Sequence, residues 1–512
     1  MTREDLPDVP DPELLDPRGP ASRAALERFG ADVWGEALRW LDDQGLVRPI
    51  QPEPYRRSRA RFFEPTGGGP GPAPATGEPA SAVLREFRER VAPQTFSAHH
   101  PGSFSYFTPP PLAMSIGGEV LAQWIQQGVD VWHAGPVGAF VEEEVIRWLR
   151  DLVGLTGDDA WGVLTSGGVM ANLMALAVAR DVHLARVIGS DGPPRGGRLE
   201  GARVYASDQT HFSVARGLDA LGFPDDTLRV LPSDERFRLL PDVVVDAIVE
   251  DRAAGRTPFA ISAVAGSTNT GSVDDVPGLA EVARREDLWL HVDAAYGGAV
   301  RLAPAQARRV PGLEHADSVT VDPHKWFFQA YDIGGLLVRR RKDLRSTFHR
   351  SPEYYRTATP EEEPLDWYQY SIEGTRRFRA LKLWMSWKHL GTDGLGGLVE
   401  HNLELASFLA DLLREAPDFE LAVEPELSVV CFRHLPEGIE GRGGDGLDAH
   451  QDALQRALEI DGTAWVSTTT LRGRTYLRAG VVNYLATRAE VEAMLAALRR
   501  LSERVLEQAD RG

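Results

Sequence analysis

Short apolar runs alternate with stretches of helical periodicity through the middle of the chain, and this alternation restricts the fold more than any other feature. Helical periodicity covers 112–127, 140–152, 169–187, 240–252 and 276–285. Short β-branched runs recur at 203–207, 228–231, 259–264, 288–292, 318–321 and 333–338. Strands alternating with helices predict an α/β fold, with an open, mostly parallel central sheet and helices on both faces.

The two ends of the chain do not continue this alternation of strands and helices. A Gly/Pro-rich linker at 64–80 follows an N-terminal helical segment. After a long helix near 377–387, the remaining pattern predicts strands near 419–423, 427–432 and 476–482 and a last helix at 488–507. We therefore expect three consecutive parts, namely an N-terminal helical segment at 1–95, a large domain at 96–385 and a small C-terminal α+β domain at 386–512.

Composition limits the partners and the compartment. The 512 residues carry a net charge of −19, which makes nucleic acid or an anionic membrane a poor partner. The single cysteine, Cys431, excludes an internal disulfide and lies in an apolar run typical of a buried strand. The N-terminus has no apolar leader, and no stretch is expected to approach the ~20 apolar residues of a membrane span. A cytoplasmic protein without a metal site is expected.

Two of the predicted strands end in residues that carry chemistry. Asp293 stands in Leu-His-Val-Asp-Ala-Ala-Tyr, and Lys325 stands in Ser-Val-Thr-Val-Asp-Pro-His-Lys-Trp. Both follow strand ends, where open α/β sheets bind their ligands. A lysine amine can condense with the aldehyde of pyridoxal phosphate (PLP), and a carboxylate can keep the pyridine nitrogen protonated. Either residue alone is typical of a solvated strand end, but the pair predicts a PLP site.

Three other strand ends carry further candidates. Residues 162–172 read as a strand, a Gly turn and a helix start, which suits a phosphate because free N–H groups and a positive helix end face it. The same motif equally fits an ordinary strand-to-helix turn. His211 follows another strand and can stack on a planar cofactor or assist proton transfer, unless it is a plain loop residue. Thr268 lies in a Ser/Thr-rich turn that alone carries no function.

Taken together, these motifs resemble the group II PLP-dependent amino-acid decarboxylases of fold type I, the aspartate aminotransferase-like fold. The motifs are Thr-Ser-Gly-Gly, the strand-end His, Gly-Ser-Thr-Asn-Thr-Gly, His-Val-Asp-Ala-Ala-Tyr and Asp-Pro-His-Lys-Trp, and the segment 375–384 is similar as well. Within that family the chain most resembles the aromatic-L-amino-acid decarboxylases, over roughly residues 85–505.

The resemblance implies a role for each matching residue around the cofactor ring. Lys325 is expected to hold the cofactor covalently, and Asp293 to pair with the pyridine nitrogen. Ala295 is expected to pack on one ring face and His211 to stack on the other. Thr268 is expected to contact the ring.

At the phosphate end, the resemblance implies binding by Gly168 and Val169 through their backbone N–H groups, with Asp322 and His324 close by. Two residues depart from the family pattern. Val169 stands where many relatives have Ser or Thr, so one phosphate hydroxyl is missing. Asp322 stands where aromatic decarboxylases often have Asn, and a second anion beside a phosphate is unfavourable.

The resemblance also implies a mobile loop whose tyrosine protonates the substrate carbon after CO₂ leaves. The segment 348–356 matches that loop, and Tyr354 matches the tyrosine. His211 is expected to assist the proton transfer. Relatives with Phe at this position tend to be oxygen-consuming aldehyde synthases, so Tyr354 favours simple decarboxylation.

Candidate substrate residues rest on the same resemblance. Tyr106 and Phe107 match the segment that lines the side-chain pocket, and Trp132 lies in a stretch that the partner subunit contributes. Asp130, in the same stretch, indicates either a more polar substrate or a solvated carboxylate. Arg478 is expected either to bind an anion or to form a structural ion pair.

The function expected from these residues is PLP-dependent decarboxylation of an aromatic L-amino acid to its amine and CO₂, in a homodimer with sites at the interface. Three alternatives stay open at this point. They are a decarboxylase of an acidic or polar amino acid, an aldehyde synthase of the same family, and a catalytically dead binding subunit with the same fold.

Overall fold

The structure, a computed structural model, describes residues 10–15, 17–350, 364–439 and 443–509. Their α-helices run Pro20–Trp40 (α1), Tyr55–Phe62 (α2), Ala80–Glu86 (α3), Ala113–Ile125 (α4), Pro136–Leu152 (α5), Gly168–Val178 (α6), Ala185–Val187 (α7), Ser213–Ala220 (α8), Pro241–Ala253 (α9), Val276–Glu286 (α10), Arg341–Phe348 (α11), Ala380–Glu415 (α12), Gly443–Asp461 (α13) and Arg488–Ala509 (α14). Their strands run Trp161–Thr165 (β1), Ala202–Ser207 (β2), Leu228–Leu231 (β3), Thr257–Val264 (β4), Trp289–Asp293 (β5), Ser318–Val321 (β6), Gly334–Val338 (β7), Phe419–Leu421 (β8), Val429–His434 (β9), Ser467–Leu471 (β10) and Arg474–Gly480 (β11).

The chain divides into two compact units that each combine separated stretches of sequence. The first unit comprises Met1–Ser105, Gly438–Thr468 and Leu485–Gly512. The second comprises Tyr106–Glu437 and Thr469–Tyr484 and contains the central sheet. The sequence predicted three consecutive parts with bounds at 95 and 385 instead, and those domain bounds stay a prediction.

The central sheet has seven strands in the order β1-β7-β6-β5-β4-β2-β3. Neighbouring pairs among β2 to β6 are parallel, and β7 alone runs against its neighbours β1 and β6. Strands β2, β5, β6 and β7 are buried along their whole length, as expected of a sheet that is covered on both faces. The predicted α/β fold with a mostly parallel sheet is confirmed.

The helical run Gly168–Val187 packs against this sheet. It consists of α6, a π-helical stretch at Ala179–Leu184 and α7. By length and composition alone it is apolar enough to cross a membrane, which corrects the expectation that no stretch approaches that limit. However, 67% of its most apolar 18-residue stretch is buried inside the protein, and α6 packs on β6, β7 and α8. This burial is typical of the core helix of a globular domain.

A second sheet of four strands has the order β10-β11-β9-β8, and β9 pairs antiparallel with both β8 and β11. Cys431 lies in β9 with 1% exposure, so the predicted buried strand position is confirmed. Strand β10 was not predicted, because its sequence Ser-Thr-Thr-Thr-Leu has only one apolar residue and therefore no readable alternation.

Candidate active site

A cavity of about 380 Å³ opens at the carboxyl ends of the parallel strands, within the size range of small-molecule sites. Its lining comes from the segments that follow β1, β2, β4, β5 and β6. All nine predicted cofactor residues line it, namely Gly168, Val169, His211, Thr268, Asp293, Ala295, Asp322, His324 and Lys325. The fold therefore brings together residues that lie up to 157 positions apart in the chain, although their individual roles stay predictions.

Lys325 follows β6 by four residues, in the connection that returns the chain to β7. Its backbone N–H donates to the carbonyl of Asp322 at 2.9 Å, which closes a tight turn. Its amine lies 3.3 Å from Oδ2 of Asp322 and 5.9 Å from the centre of the Phe107 ring. The amine is therefore inside the cavity, within reach of an aldehyde bound there.

Asp293 is the last residue of β5, the strand next to β6, and is only 8% exposed. Its Oδ2 accepts a hydrogen bond from Nδ2 of Asn172 at 2.7 Å, and its Oδ1 accepts one from the backbone N–H of Ala295 at 3.1 Å. These two bonds fix the orientation of the Asp293 side chain, because each of its oxygens accepts one of them. A fixed, buried negative charge of this kind suits a protonated pyridine nitrogen.

His211 lies in the turn between β2 and α8. Its Nδ1 is 2.8 Å from the hydroxyl of Ser213 and also accepts from the backbone N–H of Ser213 at 3.3 Å. Burial lowers the pKa of His211, and the nearby charge of Asp293 partly opposes this effect. The ring is therefore a neutral imidazole at neutral pH, and it lines the cavity.

The phosphate end of the cavity is formed by the start of α6. The first N–H groups of a helix have no intrahelical partner, so Gly168 and Val169 present donors there. A Cβ at Gly168 would lie 2.8 Å from Oδ2 of Asp322, so this close approach requires glycine. Nδ1 of His324 donates to the carbonyl of Ile333 at 2.7 Å, and burial lowers the pKa of the ring.

Asp322 stands out among the groups at this end. Its side chain is buried, and in the described part of the chain its Oδ1 has no hydrogen-bond partner. The amine of Lys325 balances its charge at 3.3 Å. A covalent lysine, a carboxylate for the ring nitrogen and a helix start for the phosphate together match the groups that PLP requires.

Three aromatic rings stack beside the cavity. Phe107 stacks on Tyr296 with the ring centres 4.1 Å apart, and Tyr296 stacks on Trp326 at 4.9 Å. The Tyr296 hydroxyl is anchored by the hydroxyl and backbone N–H of Ser428, at 2.6 and 2.8 Å. These contacts explain why Tyr296 follows Asp-Ala-Ala and Trp326 follows His-Lys, since the two motifs pack against each other.

The candidate substrate residues fall at different distances from this cavity. Arg478 lies over the Phe107 ring at 4.7 Å and donates through Nε to the carbonyl of Thr268 at 2.8 Å. Tyr106 is 60% exposed, and none of the candidates Tyr106, Phe107, Trp132 and Arg478 is among the residues that line the cavity itself. Tyr354 lies outside the described residues. Phe107 therefore lies beside the Lys325 amine, and Arg478 lies beside Phe107.

Two of the lining residues that were not predicted, Asn172 and Tyr296, hold predicted site residues in place. Asn172 lines the cavity and holds Asp293, and Tyr296 carries the stacked Phe107. A signal was present for Asn172, because it follows Gly168 by four residues and therefore lies on the same face of α6. The signal for Tyr296 was its place in the Asp-Ala-Ala-Tyr motif.

Comparison with known proteins agrees with this geometry. Residues 68–435 match the model of the pyridoxal-dependent decarboxylase conserved domain. The chain is 34% identical to an aromatic-L-amino-acid decarboxylase of Bacillus atrophaeus, over 84% of this chain and 87% of that protein. It is 30% identical to an L-2,4-diaminobutyrate decarboxylase of Acinetobacter baumannii, over 92% of each. The crystal structure of Oryza sativa TDC with PLP and tryptamine superposes with a TM-score of 0.85 at 26% identity, covering 96% of this chain and 99% of that one.

Proposed function

The chain belongs to the pyridoxal-dependent decarboxylase family, and we propose that this PLP-dependent carbon–carbon lyase acts on an aromatic L-amino acid. The substrate would be of the tryptophan, tyrosine, phenylalanine or Dopa kind, and the products its amine and CO₂. Similarity to the aromatic-L-amino-acid decarboxylase of Bacillus atrophaeus supports this choice.

One observation in the fold carries the proposal. The centre of the Phe107 ring lies 5.9 Å from the Lys325 amine, and this ring stacks on Tyr296, which lines the cavity. Aromatic rings pair with one another in stacked or edge-to-face geometry, with a gain of about 0.5–1.5 kcal/mol beyond area burial. An aromatic substrate bound at Lys325 therefore meets a matching surface.

The residues of the cavity would have separate roles in decarboxylation. Bound PLP supplies a conjugated ring that accepts the electrons released when the carboxylate leaves. Lys325 would hold the cofactor covalently through its amine. Asp293 would pair with the protonated ring nitrogen, and the helix start at Gly168 would bind the phosphate through its free N–H groups.

Proton delivery to the substrate carbon is assigned to Tyr354, with help from His211. Burial keeps the His211 ring neutral, so the ring can relay a proton only by accepting one at one nitrogen while it donates one from the other. Tyr354→Phe is expected to lower amine formation and to raise aldehyde and peroxide. If the variant gives the wild-type ratio of amine to aldehyde, Tyr354 is not the proton donor.

A second candidate is a decarboxylase of a polar amino acid. The similarity to the L-2,4-diaminobutyrate decarboxylase of Acinetobacter baumannii covers 92% of each chain and favours it. Asp130 would then attract a substrate ammonium group. Under this alternative Phe107 is a packing residue, and its replacement should leave turnover of polar substrates almost unchanged.

We further propose that the protein is a homodimer. Helix α4 leaves four large apolar side chains exposed, namely Val120, Leu121, Trp124 and Ile125, at 46–67%. An exposed apolar patch of this kind is typical of a protein interface. Light scattering on the purified protein should give twice the chain mass, and Trp124→Glu should shift it toward the monomer.

A substrate panel on the PLP-loaded protein tests the proposed function. The panel contains the aromatic amino acids, glutamate, aspartate and 2,4-diaminobutyrate, with CO₂, amine and peroxide all measured. Aromatic amine with equal CO₂ and no peroxide is expected, and Lys325→Ala should abolish it. Phe107→Ala should lower kcat/KM for the aromatic substrate about 2- to 13-fold, as for the loss of one aromatic pair.

Phe223→Ala is the matched control for that variant. Phe223 stacks on Phe259 at 5.7 Å in the core and does not line the cavity. It should lower stability without changing the preference between substrates. Turnover of polar substrates alone would overturn the aromatic proposal and leave the PLP site intact.

A further inference from the structure

Asn172 is buried at the centre of a hydrogen-bond network that the roles assigned above do not use. It is 1% exposed, and its amide makes four side-chain hydrogen bonds. Nδ2 donates to Oδ2 of Asp293 at 2.7 Å and to the hydroxyl of Ser213 at 2.8 Å. Oδ1 accepts from the hydroxyl of Thr320 at 2.6 Å and lies 3.0 Å from Nε2 of His291. Every donor and acceptor of the amide is thereby used.

The orientation of this amide follows from its neighbours. The Asp293 carboxylate only accepts, so Nδ2 must face it, and Oδ1 must face Thr320 and His291. Nε2 of His291 therefore donates to Oδ1, and its Nδ1 accepts from the Ser318 hydroxyl at 2.9 Å. Burial lowers the pKa of His291 to about 4, in agreement with a neutral ring that carries one proton.

The same reasoning assigns the proton of His211. The Ser213 hydroxyl accepts from Asn172, so its own hydrogen is free to point at Nδ1 of His211, 2.8 Å away. The backbone N–H of Ser213 donates to the same atom. Nδ1 is therefore an acceptor, and the single proton of the neutral ring lies on Nε2.

We propose that Asn172 is a positioning residue that couples Asp293 to His211. One amide orients the carboxylate that holds the ring nitrogen and, through Ser213, sets the His211 tautomer so that an N–H remains available at Nε2. The proposal rests on the PLP site and not on the identity of the amino-acid substrate. A failure of the proposed preference for aromatic substrates would therefore leave this proposal unaffected.

The wild-type holoenzyme provides the first test, because it requires no variant to fold. Nitrogen NMR on protein labelled at its histidine rings distinguishes the two neutral tautomers and the charged ring. The His211 signals are assigned by their loss in His211→Gln. A proton on Nε2 is expected over the neutral pH range. A proton on Nδ1, or a charged ring at neutral pH, would overturn the proposal.

Asn172→Leu tests the coupling itself, since it keeps the size of the side chain and removes its hydrogen bonds. PLP affinity is expected to fall about tenfold or more, as for the loss of a hydrogen bond to a charged group, and His211 should become a mixture of tautomers. Nitrogen NMR of ring-labelled PLP in the holoenzyme should show the pyridine nitrogen losing its proton at lower pH than in wild type.

Two further variants separate positioning from simple packing. Ser213→Ala removes the link to His211 but leaves the bond from Asn172 to Asp293, so only the His211 signals should change. Thr320→Val removes a bond on the far side of the amide and should lower the Tm with little effect on either nitrogen signal. If Asn172→Leu and Thr320→Val behave alike, with lower stability and unchanged nitrogen signals, Asn172 has only a structural role.

Discussion

Replacing Asp293 by Asn keeps the shape of the side chain and removes its charge. In the native site the carboxylate accepts from Asn172 at 2.7 Å and from the Ala295 N–H at 3.1 Å. An amide has one acceptor oxygen, so it keeps one of these bonds and turns an N–H group toward the other donor. Loss of the charged partner for the ring nitrogen costs about 1.5–3 kcal/mol, the range for hydrogen bonds to charged groups. The PLP dissociation constant should therefore rise about 10- to 150-fold.

Titration of the apoprotein with PLP, followed by protein fluorescence and by the visible absorbance of bound cofactor, measures this change. Asp317→Asn is the matched control. Asp317 lies just before β6 and accepts from the Leu290 N–H at 2.9 Å, but it does not line the cavity. Its PLP affinity should stay within about twofold of wild type, as for a change remote from the site. Equal affinity of Asp293→Asn and wild type would refute the assignment of Asp293.

Three further predictions concern the phosphate end of the cavity and the buried core. Gly168→Ala would bring a Cβ within 2.8 Å of Oδ2 of Asp322, and calorimetry should show PLP affinity about 5- to 150-fold weaker, since overpacking costs about 1–3 kcal/mol. Arg376→Met leaves the buried Glu142 unpaired, and urea denaturation should show a loss of about 3–5 kcal/mol, most of which the double variant with Glu142→Leu recovers. Burial raises the pKa of Asp274 to about 7, so the folded protein holds a proton that the unfolded chain releases above pH of about 4. The free energy of unfolding should therefore fall as the pH rises from about 4 to about 7. Asp274→Asn should remove this part of the pH dependence.

The strands of the central sheet were readable from sequence because each is a short apolar run bounded by polar residues. The bounds of β3 and β6 agree with the predicted 228–231 and 318–321. The position of the site followed from the same pattern, since ligands bind at the carboxyl ends of parallel strands. The antiparallel direction of β7 was not predicted, because a run of apolar residues carries no information about strand direction.

Other parts of the site depend on contacts that local patterns do not contain. The hydrogen-bond partners of Asn172 lie 41 to 148 residues away, so its role appears only once the sheet is assembled. Trp132 was a substrate candidate by resemblance alone, in a stretch that the partner subunit is expected to contribute, and its role stays a prediction. Its backbone N–H donates to the side chain of Asp366 at 2.8 Å.

Trapping the cofactor on its lysine tests the central claim most directly. The chain has only four lysines, Lys325, Lys342, Lys382 and Lys388, so a label has few alternative positions. Lys382 is the strongest rival, because burial lowers its pKa to about 7 and so favours a nucleophilic amine. Borohydride reduction of the PLP-loaded protein, followed by peptide mass spectrometry, should place the pyridoxyl group on Lys325 alone. A label on Lys382, or one spread over several lysines, would contradict the assignment of the cavity at the ends of β5 and β6 as the PLP site.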